Sequence, residues 1–79
     1  EMNEAFSVQM VALQRQLEID PARWNVPGGA VAVGHPIGCS GAFLATKAVY
    51  ELHRSGGRYA LVTMCIGGGQ GIAAVFERV

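Results

Sequence analysis

The run Asn25-Val-Pro-Gly-Gly-Ala-Val-Ala-Val-Gly-His-Pro-Ile-Gly-Cys-Ser-Gly41 decides how the chain is organised. It sets one imidazole, His35, among glycines and small apolar residues, with Cys39 the only other titratable side chain. Glycine permits positive φ and close backbone approach, while Pro36 fixes φ and removes a donor. Such a composition suits a tightly packed turn that presents an imidazole to a bound molecule, and it suits a solvated loop poorly. Within the run, Ala30–Val33 is a short apolar segment bounded by glycines, the pattern of a buried strand. Ser40 is placed to cap a helix carried by Ala42, Leu44, Ala45, Ala48, Val49 and Leu52 and ended by Gly56 and Gly57. The first charge in that helix is Lys47. Its opening turns therefore read as buried between layers, with unpaired N–H groups aimed at the His35 turn.

Upstream, Phe6, Met10, Leu13 and Leu17 recur at helical spacing, so an amphipathic helix is expected from about Asn3 to Leu17, with Asn3 able to serve as its N-cap. Asp20-Pro21 marks a new turn, since aspartate caps and proline suits a first helical position. Downstream, Arg58 to Ile66 reads as a strand apolar on both faces. The glycines at 67, 68, 69 and 71 turn the chain, and Ile72 to Phe76 returns as an antiparallel strand. Helix, strand, buried helix and two antiparallel strands make an α/β layered arrangement.

The 79 residues suffice for one small domain, yet half of them are hydrophobic and few are charged. That apolar excess, together with an opening on helix-like residues without a start methionine, reads as a piece of a longer protein. Six basic residues balance six acidic ones and are scattered, which leaves no footprint for nucleic acid or an acidic membrane surface. No apolar run is long enough to span a bilayer. Cys39 and Cys65 make no disulfide framework, and their neutral reading is two buried thiols in a reducing compartment.

Several chemical motifs fail on spacing. Gly67 to Gly71 lacks the dinucleotide pattern, and no glycine precedes Lys-Ser or Lys-Thr. Gly38-Cys39-Ser40-Gly41 is one residue short of a nucleophile elbow. His35, Cys39 and Cys65 are too few for a metal site, and His53 belongs to a solvated helix face beside Arg54, so no metal is expected. Asn3, His35 and Cys65 remain, each beside backbone suited to close approach. Their plain readings are a helix cap, a histidine that satisfies backbone groups, and a core thiol.

Asn25 to Gly41 resembles the glycine-histidine signature of thiolases, and Ala60 to Ala73, with Cys65-Ile66-Gly67-Gly68-Gly69-Gln70-Gly71, resembles their C-terminal cysteine signature. Asn3-Glu4-Ala5-Phe6 is similar to a third motif of that family, and the three occur in the family's order across the whole chain. The resemblance implies the C-terminal part of a thiolase-like layered fold, with the N-terminal catalytic half absent. It implies an acyl-CoA C-acyltransferase that cleaves 3-ketoacyl-CoA with coenzyme A, or condenses two acetyl-CoA, through an acyl-cysteine formed elsewhere in the protein. By the same resemblance His35 activates that cysteine and Cys65 exchanges a proton with the substrate. Asn3, through a water, and His35 form one oxyanion hole, and the N–H of Gly67 contributes to another. Gly34, Gly38, Gly68 and Gly69 shape the site.

Such chemistry needs a soft nucleophile, a base active near neutral pH and donors aimed at developing negative charge. Coenzyme A is then a substrate and product, no cofactor is permanently bound, and the partners are acyl-CoA, CoA and the missing half of the same protein. A homodimer or homotetramer is expected of the intact protein, in the cytoplasm or, in a eukaryote, in mitochondria or peroxisomes. Cys39 falls at a variable small position of the signature and reads as packing, and Phe43 stands where many members carry an arginine. A ketoacyl-synthase-like condensing enzyme would pair the nucleophile with two histidines or with histidine and asparagine, and Cys65 at the second position argues against it. The chain alone, lacking the nucleophile, is expected to be inactive, an assembly piece of the whole.

Overall fold

Residues 1–79 are described by a computed structural model. Its longest element is α3, Ile37–Ser55, which packs on β1, Tyr59–Gly67; β1 in turn pairs antiparallel with β2, Gln70–Glu77. Ahead of these lie α1, Ser7–Leu17, a single 3-10 turn at Pro21–Arg23, and α2, Ala30–Val33.

Side chains four apart share a helix face, and α3 buries one such row: Ser40, Leu44, Ala48 and Leu52. Facing that row are alternate residues of the sheet, Ala60, Val62 and Met64, with Phe76 from β2. Leu44, Ala48 and Val62 form the centre of this small core. The helix ends where Gly56 takes a left-handed conformation at φ 73, as expected of glycine there. Its outer face is open: Ile37 is 82% exposed and Tyr50 74%. The expected burial of the helix between layers therefore holds for one face only, because this chain supplies no second layer.

The hairpin turns through Gly68 and Gly69, both at positive φ, as a two-residue turn matched to strand twist requires. Its register runs from Tyr59↔Glu77 to Cys65↔Gly71 and slips by one residue before Gly67↔Gln70, leaving Ile66 as the extra residue of a bulge. The other edge of β1 is taken by the first residues of the chain, running parallel. The Glu1 nitrogen donates to the Leu61 carbonyl at 2.7 Å, Thr63 N to the Glu1 carbonyl at 2.9 Å, and Asn3 N to the Thr63 carbonyl at 2.9 Å.

The mixed α/β class stands, but several local expectations are corrected. Asn3 caps no helix: it is committed to the ladder with β1, so α1 begins only at Ser7, with Phe6 at the N-cap and no capping side chain. The stripe of α1 meets no covering layer, and Phe6 remains 71% exposed. Ala30–Val33 is a single helical turn and not a strand; Ala32 N and Val33 N both donate to the Gly29 carbonyl, and Gly34 N to that of Ala30. No strand lies beside this segment to pair with it, so its backbone groups close on themselves. Ser40 is no N-cap either, since α3 starts three residues earlier with Pro36 at the cap. Both cysteines are exposed, against the neutral reading of two buried thiols and of Cys39 as packing. Asp20 does cap its turn, accepting from Ala22 N at 2.9 Å with Pro21 in first position. No helix is long and apolar enough to cross a membrane.

Because Leu44 sits at the centre of the only sizeable apolar contact, Leu44→Ala is expected to lower the unfolding free energy by about 2–4 kcal/mol, read from a urea titration with unchanged slope.

Candidate active site

His35 sits between two helices, with Gly34 ending α2 at φ 90 and Pro36 opening α3. The Pro36 carbonyl gathers the first turn, accepting from Cys39 N at 2.8 Å and Ser40 N at 3.0 Å. Ser40, only 2% exposed, points its hydroxyl into the same space. Its Oγ donates to the Pro36 carbonyl at 3.1 Å and lies 2.6 Å from His35 Nδ1. A hydroxyl has one proton to give, so once that proton is on Pro36 the short contact must be Nδ1–H donating to Oγ. The bond to Pro36 favours the tautomer with the proton on Nδ1 and Nε2 as the acceptor nitrogen, while a hydroxyl proton turned toward Nδ1 goes with the other tautomer.

Asn3 reaches the ring from the other side. Its Nδ2 lies 3.4 Å from Nδ1 and 3.3 Å from Nε2. An atom almost equidistant from both nitrogens at that range sits over the ring face and not along either lone pair, so this contact is weaker than an in-line hydrogen bond. Asn3 is itself 2% exposed and pinned through its backbone to Thr63. The carboxamide therefore braces the imidazole while Ser40 holds it at Nδ1.

Cys65 is two residues beyond Thr63 on β1, on the same strand face and about 7 Å further along. Its backbone is in the ladder opposite Gly71, and its thiol is exposed. The first half of α3 leans on this end of the strand: a Cβ added to Gly41 would lie 3.3 Å from Met64 Sδ. Topology thus gathers Asn3, the His35 turn and Cys65 toward the end of β1 that leads into the hairpin. Gly67 follows at φ 93, and Gly68 and Gly69 form the tip. Gly38 lies in the first turn of α3 with open space beside it.

Three contributors escape the sequence reading. Ser40 signals only a helix start, and its role for His35 depends on the earlier start at Ile37. Asn25 and Glu4 enter the sequence reading only as parts of the quoted motifs, with no role of their own; Asn25 Oδ1 accepts from Met2 N at 2.7 Å and Glu4 Oε2 accepts from Val31 N at 2.9 Å. Taken together, an imidazole held by Ser40 and Asn3 and a thiol on a neighbouring strand are groups that can accept and pass protons.

The family model for the thiolase C-terminal domain matches residues 1–78. The chain belongs to that family. This thiolase C-terminal domain is 58% identical to a beta-ketothiolase of Cupriavidus necator over all 79 residues, which make up 20% of that protein. It superposes on the crystal structure of human mitochondrial 3-ketoacyl-CoA thiolase with a TM-score of 0.93 and 49% identity, covering 99% of this chain and 20% of that one. The Bacillus anthracis acetyl-CoA acetyltransferase gives a TM-score of 0.90 and 41% identity, with 96% of this chain and 19% of that chain covered. The thiolase C-terminal domain seen here therefore spans about a fifth of the length of these relatives.

Ser40→Ala is expected to release the ring proton: in 15N spectra of histidine-labelled protein, the Nε2–H form of His35 rises about fivefold or more, the change that loss of about 1 kcal/mol produces. Ser40→Thr, which keeps the hydroxyl, retains the original signal.

Proposed function

We propose that the chain is the histidine- and cysteine-bearing part of an acyl-CoA C-acyltransferase of the thiolase type, acting on 3-ketoacyl-CoA and CoA or on two acetyl-CoA. One observation supports the reading: Asn3 and Ser40 converge on His35 from separate elements, so the imidazole is held in one place.

In this reading His35 Nε2 takes the proton of a nucleophilic cysteine supplied by the N-terminal half of the same protein. The thiolate attacks the 3-keto carbon, and the alkoxide that forms collapses with cleavage of the carbon–carbon bond. The acyl group stays on sulfur, and the acetyl-CoA enolate leaves with a proton from the Cys65 thiol. The Cys65 thiolate next takes the proton of incoming CoA, whose sulfur then displaces the acyl group and restores the nucleophile. Asn3, through a bridging water, and His35 steady the thioester oxygen of the enolate, while the N–H of Gly67 assists at the acyl-enzyme. Gly34, Gly38, Gly68 and Gly69 keep side chains clear of the reacting atoms.

The partners of the 79 residues are then the missing half of the protein and the CoA thioesters, with a homodimer or homotetramer as the intact assembly. Its place in the cell is the cytoplasm, or mitochondria or peroxisomes in a eukaryote.

In the intact protein Cys65→Ala is expected to slow acetoacetyl-CoA formation by about 10²–10⁴-fold, the range of a positioned acid–base group, while acyl-enzyme still accumulates by mass spectrometry. Condensation at the wild-type rate in that variant rules the assignment out. The purified 79-residue chain is expected to show no thiolysis of acetoacetyl-CoA, since the nucleophile is not in it.

A further inference from the structure

Next to Asn3 in the chain stands a carboxylate whose contacts all lead to the His35 loop. Glu4 Oε2 accepts from Val31 N at 2.9 Å, and Glu4 Oε1 accepts from Asn25 Nδ2 at 3.0 Å. The carboxylate lies against the backbone of Gly29, which is buried and where an added Cβ would collide with its carboxyl carbon and both oxygens. Asn25 completes the connection, its Oδ1 accepting from Met2 N at 2.7 Å and its Nδ2 donating to Met2 O at 2.8 Å. Four hydrogen bonds therefore join residues 2–4 to residues 25–31, and none of them involves His35 itself.

Geometry carries that linkage on to the imidazole. Val31 lies in the single turn of α2, and His35 follows that turn by two residues, so the ring moves with the turn. Asn3 immediately precedes Glu4 and is fixed to Thr63. Glu4 thus spans the two pieces of backbone whose separation sets how the Asn3 carboxamide meets the imidazole face.

We propose that Glu4 is a positioning residue, whose carboxylate seats in the space left by Gly29 and clamps Val31 and Asn25, thereby holding His35 against Asn3. The inference rests on the reading of Asn3 and His35 as a working pair. It assigns Glu4 no contact with substrate. The glycine at 29 is required by it, because the carboxylate occupies the volume a side chain would need.

The test uses steady-state thiolysis of acetoacetyl-CoA by the intact protein. Displacement of a catalytic group by about 1 Å costs on the order of 10²-fold, so Glu4→Ala is expected to lower kcat by about 10- to 100-fold with KM for CoA within about twofold. Glu4→Gln keeps one acceptor and falls between wild type and Glu4→Ala. Gly29→Ala is damaging alone but adds little to Glu4→Ala, because the collision is gone; this non-additivity is what a clamp, and not two separate structural defects, produces. A kcat within about twofold of wild type for Glu4→Ala, a loss expressed mainly in KM, or additive losses for the pair overturns the proposal. Should Glu4→Ala not fold, the Glu4→Gln variant decides, with wild-type kcat counting against the clamp. His35→Ala separates the two levels. If it is inactive while Glu4→Ala turns over normally, only the clamp is lost; if it retains full activity, the reading of the site falls and the clamp with it.

Discussion

The carboxamide of Asn25 stands in for a peptide group, and the arrangement of the molecule hangs on that substitution. The strand-like segment at residues 1–3 needs hydrogen-bond partners on two sides. β1 supplies one side through Leu61 and Thr63, and Asn25 supplies the other by accepting from and donating to Met2 as a neighbouring strand would. Asparagine fits here for a second reason: its backbone lies at φ 47, a left-handed conformation that short amide side chains tolerate. Lys47 fastens the same corner from α3, pairing with Glu1 at 2.7 Å and donating to the Gly28 carbonyl, with the Phe43 ring 5.0 Å from its ammonium. The two charged side chains are 11% and 5% exposed, so the pair fixes geometry more than it adds stability, while loss of one partner would strand the other charge.

What could be read from the sequence divides along physical lines. α3 and the hairpin were legible because their signals are long or conformationally forced: a periodic row from Leu44 to Leu52, a glycine that must stop a helix, a glycine cluster that must turn a strand. Ala30–Val33 was not, since four apolar residues carry no period that separates strand from helix, and the choice follows from the lack of a strand beside it. Asn3 read as a cap because asparagine before a helical stripe usually is one; its commitment to β1 depends on a strand some sixty residues away in the chain. Asn3, His35 and Cys65 were legible as a set only through their surroundings. How Ser40, Asn25 and Glu4 serve that set was not, because each takes part through a bond whose partner is fixed by the fold.

Control of the imidazole is divided among residues that do different things. Ser40 holds the ring at Nδ1, Asn3 limits how the ring can tilt, and the contacts around Val31 set where the whole turn stands. Little of this depends on a large core, which is limited to one helix face against one sheet face. Leu61, Ile66, Ile72 and Val75 on the hairpin remain 53 to 68% exposed. Within this chain the directional polar bonds at the corner are what fix the His35 turn.

The hairpin tip carries a different kind of restriction. Gly67, Gly68 and Gly69 all lie at positive φ, and no neighbouring atom crowds any of them. Within this chain it is the backbone conformation that disfavours other residues there, at about 1–2 kcal/mol for each position. Positions 67 to 69 therefore offer only N–H and C=O groups, between the exposed side chains of Ile66 and Gln70. A substitution at any of these three glycines has to reshape the turn before it can add a side chain to it.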